Sequence, residues 1–173
     1  MIERLIPEAF AAAVPQLADV LVDAVAGGAS VGFLAGFDRA EAAAWWRGRA
    51  AAVAAGSLVV WAHRGGRGIT GTVSLAYADK PNARHRAEVV KLAVHRDERG
   101  RGLGRRLLAT AEEEACAAGI GLLLLDTETG SAAERLYRSA GWQRYGVVPG
   151  YAAAPSGEVK ACSFYYKTLA AGR

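Results

Sequence analysis

From residue 8 to about residue 25, apolar side chains recur at helical spacing (Val14, Leu17, Val20, Leu21, Val25), and the pair Gly27-Gly28 ends the run. Residues 2–6 before it read as a short first strand. Asp38 is placed to cap a second helix that runs to about residue 54 and stops at Gly56. Residues 58–63 and 69–77 are two β-rich runs joined by Gly65-Gly66-Arg67-Gly68, a hairpin signal. Residues 87–95 predict a further strand, and residues 103–118 an amphipathic helix with Gly119 after it. Residues 120–126 form a continuous apolar run, the pattern of a strand covered on both faces. Ser131 and Glu134 have the spacing of a capping box for a helix over 132–140, closed by Gly141. Residues 142–151 and 159–169 complete the pattern as strands around Pro155-Ser156-Gly157. The predicted order is βααβββαβαββ, an α/β layered fold with a mixed sheet.

Composition narrows the class. A chain of 173 residues, 52% hydrophobic and 22% charged, fits a single soluble domain over 1–173 with a full core. The net charge of +4 is modest, and Arg96, Arg99, Arg101, Arg105 and Arg106 supply much of it within one short segment. A local phosphate site accounts for that cluster, and no long basic run with interleaved aromatics points to nucleic acid. Cys116 and Cys162 stand far apart, and His63, His85 and His95 are scattered, so neither a disulfide framework nor a metal site is expected. The N-terminus lacks the basic flank of a secretory signal, and no stretch reads as a membrane span. The expectation is a cytoplasmic protein without a membrane partner, monomeric or homodimeric.

The segment from 89 to 104, VVKLAVHRDERGRGLG, carries the most chemistry. A strand ends in a basic, glycine-punctuated turn that opens directly into a helix. Glycines let backbone approach a ligand closely, and the first N–H groups of a helix have no internal partner. With the helix dipole behind them, the amides over Arg99, Gly100, Arg101, Gly102, Leu103, Gly104 and Arg105 suit a pyrophosphate; the alternative is an ordinary strand-to-helix turn with solvated arginines. A dinucleotide fingerprint fails, because after Gly100 and Gly102 the third glycine position holds Arg105. A P-loop fails as well, since Gly-Lys-Ser/Thr occurs nowhere.

The turn Arg-x-x-Gly-x-Gly, the preceding KLAVHRDE and the later LYRSAGW resemble the acyl-CoA-binding region of the GNAT N-acetyltransferase superfamily, over roughly residues 57–169. The stretch LDTETGSAAERLYRSAGW, followed by VVPGYAAAPSGEVKACSFYYKTL, is similar to the tabtoxin-resistance acetyltransferase branch. The resemblance implies a mostly antiparallel sheet of six to seven strands with about four helices. It implies acetyl-CoA as co-substrate, entering where the strands over 87–95 and 120–126 splay apart. It also implies that main-chain N–H groups of Leu92, Ala93 and Val94 serve the carbonyl and pantetheine, and that Tyr137 sits beside the sulfur as a general acid. Many relatives carry an asparagine near the place held here by Gly130.

Acetyl transfer to an amine also needs a proton acceptor. Asp126 closes an apolar strand at its carboxyl end, and Glu88 opens the strand that leads to the turn. Either carboxylate can bind an ammonium group and take its proton. The structural alternatives are a turn-forming Asp126 and a Glu88 paired with Arg84 or Arg86; His85 is a third base candidate. Trp46 and Tyr151 are the candidates for the acceptor pocket, with core packing the competing reading for the Trp45-Trp46 pair. The reading is an N-acetyltransferase acting on a small amine, an amino-acid-like antimetabolite by the closer resemblance. An acyl-CoA-binding sensor and an acetylase of protein amino groups stay open as alternatives.

Overall fold

A computed structural model describes residues 1–169. In chain order the elements are β1 (Ile2–Arg4), α1 (Pro7–Ala26), α2 (Arg39–Arg47), α3 (Ala50–Ala54), β2 (Leu58–Gly65), β3 (Gly68–Tyr77) and β4 (Arg86–Val94). Then follow α4 (Leu103–Ala117), β5 (Leu122–Glu128), α5 (Ala132–Ser139), β6 (Gln143–Ala153) and β7 (Val159–Thr168). The seven strands form one sheet of order β1-β2-β3-β4-β5-β7-β6, antiparallel except where β4 meets β5. This is the mixed, mostly antiparallel sheet that was expected.

Helices cover the two faces unequally. On one face, α1 and α2 bury Leu17, Leu21 and Trp46 against Val60 and Ala62 of β2. On the other, α4 and α5 bury Leu107, Leu108 and Tyr137 against Val73, Leu123, Leu125 and Tyr165. By length and composition α1 passes for a membrane span, with 20 residues and a hydropathy of 1.5, against the expectation that no stretch would. Half of that apolar window is buried inside the fold, where it forms the core.

Three local expectations change. The helix expected from Asp38 to about residue 54 is two helices, because the chain breaks at Gly48 and Arg49 between α2 and α3; glycine is a poor helix former. Its start is as expected: Asp38 and Glu41 each accept the other's backbone N–H, at 2.8 and 2.9 Å. The hairpin turn is tighter, with Gly65 and Gly68 paired and only Gly66 and Arg67 between them. Finally, β5 is not covered on both faces. Leu123 and Leu125 are buried, Leu122 and Leu124 are half-buried, and Asp126 is exposed. The apolar run reflects a strand whose second face borders a cleft.

Candidate active site

The cleft starts where two strands part. Parallel pairing joins Arg86, Ala87 and Glu88 of β4 to Leu122, Leu123 and Leu124 of β5, and then stops. Both strands continue, β4 to Val94 and β5 to Glu128, so beyond Glu88 the β4 edge facing β5 has no strand partner. Just past the parting, β4 bulges. Its register against β3 slips between Thr72 and Ser74, and Lys91 takes a φ of +52°.

The bulge decides which amides face the opening. The His95 N–H donates to the Thr70 carbonyl at 2.9 Å, so strand alternation turns the paired residue Ala93 toward β3 and Val94 away from it. Consistently, the Val94 carbonyl accepts a hydrogen bond from Arg99 Nε at 2.9 Å. Leu92 and Val94 therefore aim into the splay. Ala93, expected with them, points its N–H into the sheet.

The turn after β4 is held from below by a residue the sequence reading missed. Asp23 on α1 is only 8% exposed; it accepts the Arg96 N–H at 2.9 Å and binds the Arg96 guanidinium. The same carboxylate lies 3.4 Å from the Arg99 guanidinium and 3.6 Å from His95. An acid inside the apolar stripe of α1 was its only signal. Arg101 reaches Glu98 at 3.4 Å and stays exposed. Arg105 is committed to Ser139, at 2.5 Å from its hydroxyl, and so ties α4 to α5.

Three glycines serve different needs. Gly100 and Gly102 have φ of +75° and +77° with open space where a side chain would start. Gly104 has no such backbone demand; a Cβ there would meet Leu136 at 3.3 Å, so its smallness lets α5 approach. Gly102 is the N-cap of α4 and offers no side-chain cap. The amides of Leu103, Gly104 and Arg105 thus open onto the turn, and the first bond within the helix runs from the Arg106 N–H to the Gly102 carbonyl at 3.1 Å.

Carboxylates line the other side of the opening. Glu88 is level with Leu124, and Asp126 lies two residues further along β5, so both project from the same face. Phe164 on β7 is opposite Asp126 and shares that face; Tyr151 stacks edge-on against it with centroids 5.0 Å apart. Cys162 donates its thiol to Asp126 at 3.3 Å. Burial, then the hydrogen bond and charge of Asp126, push that thiol up to about 12. Glu88 keeps solvent exposure yet is partly desolvated by surrounding protein, and that burial together with the Asp126 charge raises its pKa, against Arg86 and Lys91.

Tyr137 arrives from the opposite face on α5, 6% exposed and 6.0 Å from the Trp142 ring. Burial and then Asp126 hold its phenol well above the ordinary value. The charge of Asp126 acts on both Glu88 and Tyr137, the acids from one face of the sheet and the phenol from the other.

The expectation that Trp46 lines an acceptor pocket does not hold. Trp46 has no exposed surface and packs edge-on to Phe10, centroids 6.0 Å apart, so it cannot touch a substrate. Trp45 is the half-buried neighbour, edge-on to Phe33 at 5.6 Å. The connection carrying Phe33 is pinned to the turn between β6 and β7, where the Ala35 N–H donates to the Pro155 carbonyl at 2.8 Å. A separate cavity of about 610 Å³, lined by Gln16, Arg67, Thr70 and Glu98, lies beside the β2–β3 hairpin rather than in the splay.

Known proteins share this fold. The profile of the acetyltransferase (GNAT) domain matches residues 54–144. A ribosomal-protein-alanine N-acetyltransferase from Brucella melitensis superposes with a TM-score of 0.74 at 25% identity, over 98% of this chain and 99% of that one. The yncA protein of Salmonella typhimurium, solved with its cofactor acetyl-CoA, gives 0.76 at 22% identity, over 98% and 94%. A phosphinothricin acetyltransferase from Sinorhizobium meliloti, in complex with AcCoA, gives 0.78 at 15% identity, over 98% and 88%. With a profile match over more than half its length and a parted β4–β5 pair above a glycine turn, the chain belongs to the GNAT family and is an N-acetyltransferase.

Proposed function

We propose that the chain acetylates the primary amine of a small, amino-acid-like acceptor, with acetyl-CoA as donor, by direct attack in a ternary complex. The observation that carries this reading is the opening beyond Glu88 and Leu124, with two carboxylates on one face and a buried phenol on the other. The residues present fit the donor: Gly100 and Gly102 shape a turn below the uncapped N-terminus of α4, and the β4 edge at Leu92 and Val94 has no strand partner. Such a terminus suits a pyrophosphate. When bound, the donor supplies an activated thioester.

Around it, each side chain has one task. Glu88 and Asp126 attract the acceptor ammonium, and one of them takes its proton. The Leu92 and Val94 N–H groups face the acyl oxygen, where an aligned donor contributes on the order of 3 kcal/mol. Tyr137 holds a proton for the departing sulfur. Its raised pKa does not disqualify it, since the burial that lifts a phenol also lifts a thiol, and the match between the two governs transfer. The likeness of residues 125–142 to the tabtoxin-resistance branch supports an amino-acid-like acceptor.

One observation favours a second reading, an acetylase of protein amino groups: the relative at 25% identity bears that activity in its name. The bridge from Ala35 to Pro155 favours the small acceptor, because it ties together the two loops beside the cleft. Free-thiol release from acetyl-CoA, measured across amines, amino acids and short peptides beginning with alanine, separates them. Turnover confined to the peptides reverses the assignment. Absence of turnover while CoA still binds rejects catalysis on amines altogether.

A further inference from the structure

Lys91 is the residue on which β4 bulges, and a left-handed backbone is uncommon for any residue with a Cβ. The bulge sends its ammonium toward the connection between α1 and α2. There Nζ donates to the Val31 carbonyl at 2.8 Å and lies 5.2 Å from the Phe33 ring and 5.0 Å from the Trp45 ring. Gly32 leaves it room, since a Cβ at that position would stand 3.4 Å from Nζ. The residue is half-buried. Among the described residues no carboxylate comes within 4.0 Å of it, although Glu88 and Asp126 are near enough to act on its charge. Arg49, 4.5 Å above the same Trp45 ring, adds a second positive charge. Burial and Arg49 lower the Lys91 pKa, and Asp126 and Glu88 raise it.

An ammonium group has three donors, and this half-buried one spends one of them on the Val31 carbonyl and otherwise faces two aromatic rings. Glu88 and Asp126 project from one face at the parting of β4 and β5, and Lys91, three residues further along β4, reaches Val31, Phe33 and Trp45 while both acids act on its charge. We infer that Lys91 is a specificity residue that binds a carboxylate on the acceptor, so that the substrate is a zwitterion whose amine faces Glu88 and Asp126. This rests on the small-amine reading above and narrows it to α-amino acids and close analogues. It also gives the bulge a purpose beyond the donor side.

The test compares L-amino acids with their C-terminal amides in the thiol-release assay, in the wild type and in Lys91→Met. Methionine keeps the unbranched stem, one heavy atom short of Nζ, and the same backbone demand. The amide's amine is less basic, so the quantity read is the change in the acid-to-amide ratio of kcat/KM. That ratio falls by at least about ten-fold in Lys91→Met, the scale of a lost charge-assisted hydrogen bond. An unchanged ratio overturns the inference. A second measurement needs only the wild type: butyrate inhibits competitively against the acceptor and butyramide does not. Equal inhibition by both overturns it as well. Turnover of amines without either preference rejects the role of Lys91 alone, whereas no turnover with CoA bound rejects the amine-acetylase reading itself.

Discussion

Tyr137→Phe removes one oxygen and leaves the ring where it packs, 6.0 Å from Trp142 and almost fully buried. The fold therefore loses little, and the change reports on the proton. General acid catalysis contributes about 10²–10⁴-fold, which at 1.36 kcal/mol per decade is roughly 3–5 kcal/mol of barrier. We expect kcat to fall within that range and CoA affinity to stay within about two-fold, since no part of the glycine turn is touched. The pH profile carries a second signature. Burial and the Asp126 charge raise the Tyr137 pKa, so the phenol remains protonated well above its ordinary value of 10.0 and contributes no alkaline decline below that value. Steady-state thiol release across that range, with calorimetry of CoA binding alongside, checks both expectations. Wild-type turnover at every pH would refute the acid role, and a large loss of CoA affinity with kcat preserved would make Tyr137 a binding residue.

Other expectations divide the site by function. Gly102→Ala places a Cβ on backbone with φ of +77°, and the strain of about 1–2 kcal/mol weakens CoA binding measured by calorimetry. Native affinity in a folded Gly102→Ala protein would move the pyrophosphate away from this turn. Because burial and Asp126 raise the Glu88 pKa, a base at Glu88 makes turnover climb with pH through a limb above the ordinary 4.5. Glu88→Gln abolishes that limb and Asp126→Asn shifts it down by removing a negative charge; a limb unmoved by both places the base elsewhere. Glu134 is buried, and burial by itself would raise its pKa. Its hydrogen bonds from the Gly130 N–H and the Tyr165 hydroxyl, with Ser163 and Arg144 nearby, bring it below the ordinary 4.5 instead. Its stabilisation is therefore complete above the unfolded-state value and is lost as pH falls through the folded one. Glu134→Gln should cost on the order of 2 kcal/mol at neutral pH and flatten that acid loss in urea melts; an unchanged slope would show the carboxylate to be dispensable.

The elements were legible because each is a local pattern. The stripe from Val14 to Val25, the glycine hairpin and the Asp38 cap all act within a few residues, and each appears at its expected place. What failed depended on how elements meet. The run 120–126 looks doubly covered, yet Leu122 and Leu124 stay half-buried and Asp126 exposed, because α1 packs chiefly on β3 and β4 rather than on β5. Trp45 and Trp46 are equivalent in composition, and only the packing of α2 against Phe10 decides which is core. The Gly104 amide opens onto the turn as the sequence suggests, but the reason for a glycine there, the approach of Leu136 from another helix, was not readable. Asp23 and Cys162 were illegible for the same reason, each reaching partners more than 30 residues away.

The largest unread feature is also the one that joins the two halves of the site. A strand with perfect alternation would give its amides and side chains to fixed faces from Arg86 to Val94, and a one-residue slip reverses every assignment beyond it. The slip at Lys91 does this at the point where β4 leaves β5. Before it, Glu88 shares a face with Leu124 and Asp126. After it, the Leu92 and Val94 amides face the splay, and Lys91 is swung toward Val31 and Trp45. In the proposed site, donor and acceptor recognition would thus be set by one backbone event rather than by two independent surfaces. A strand without the bulge could keep every residue named here and still present the wrong set of them to the cleft.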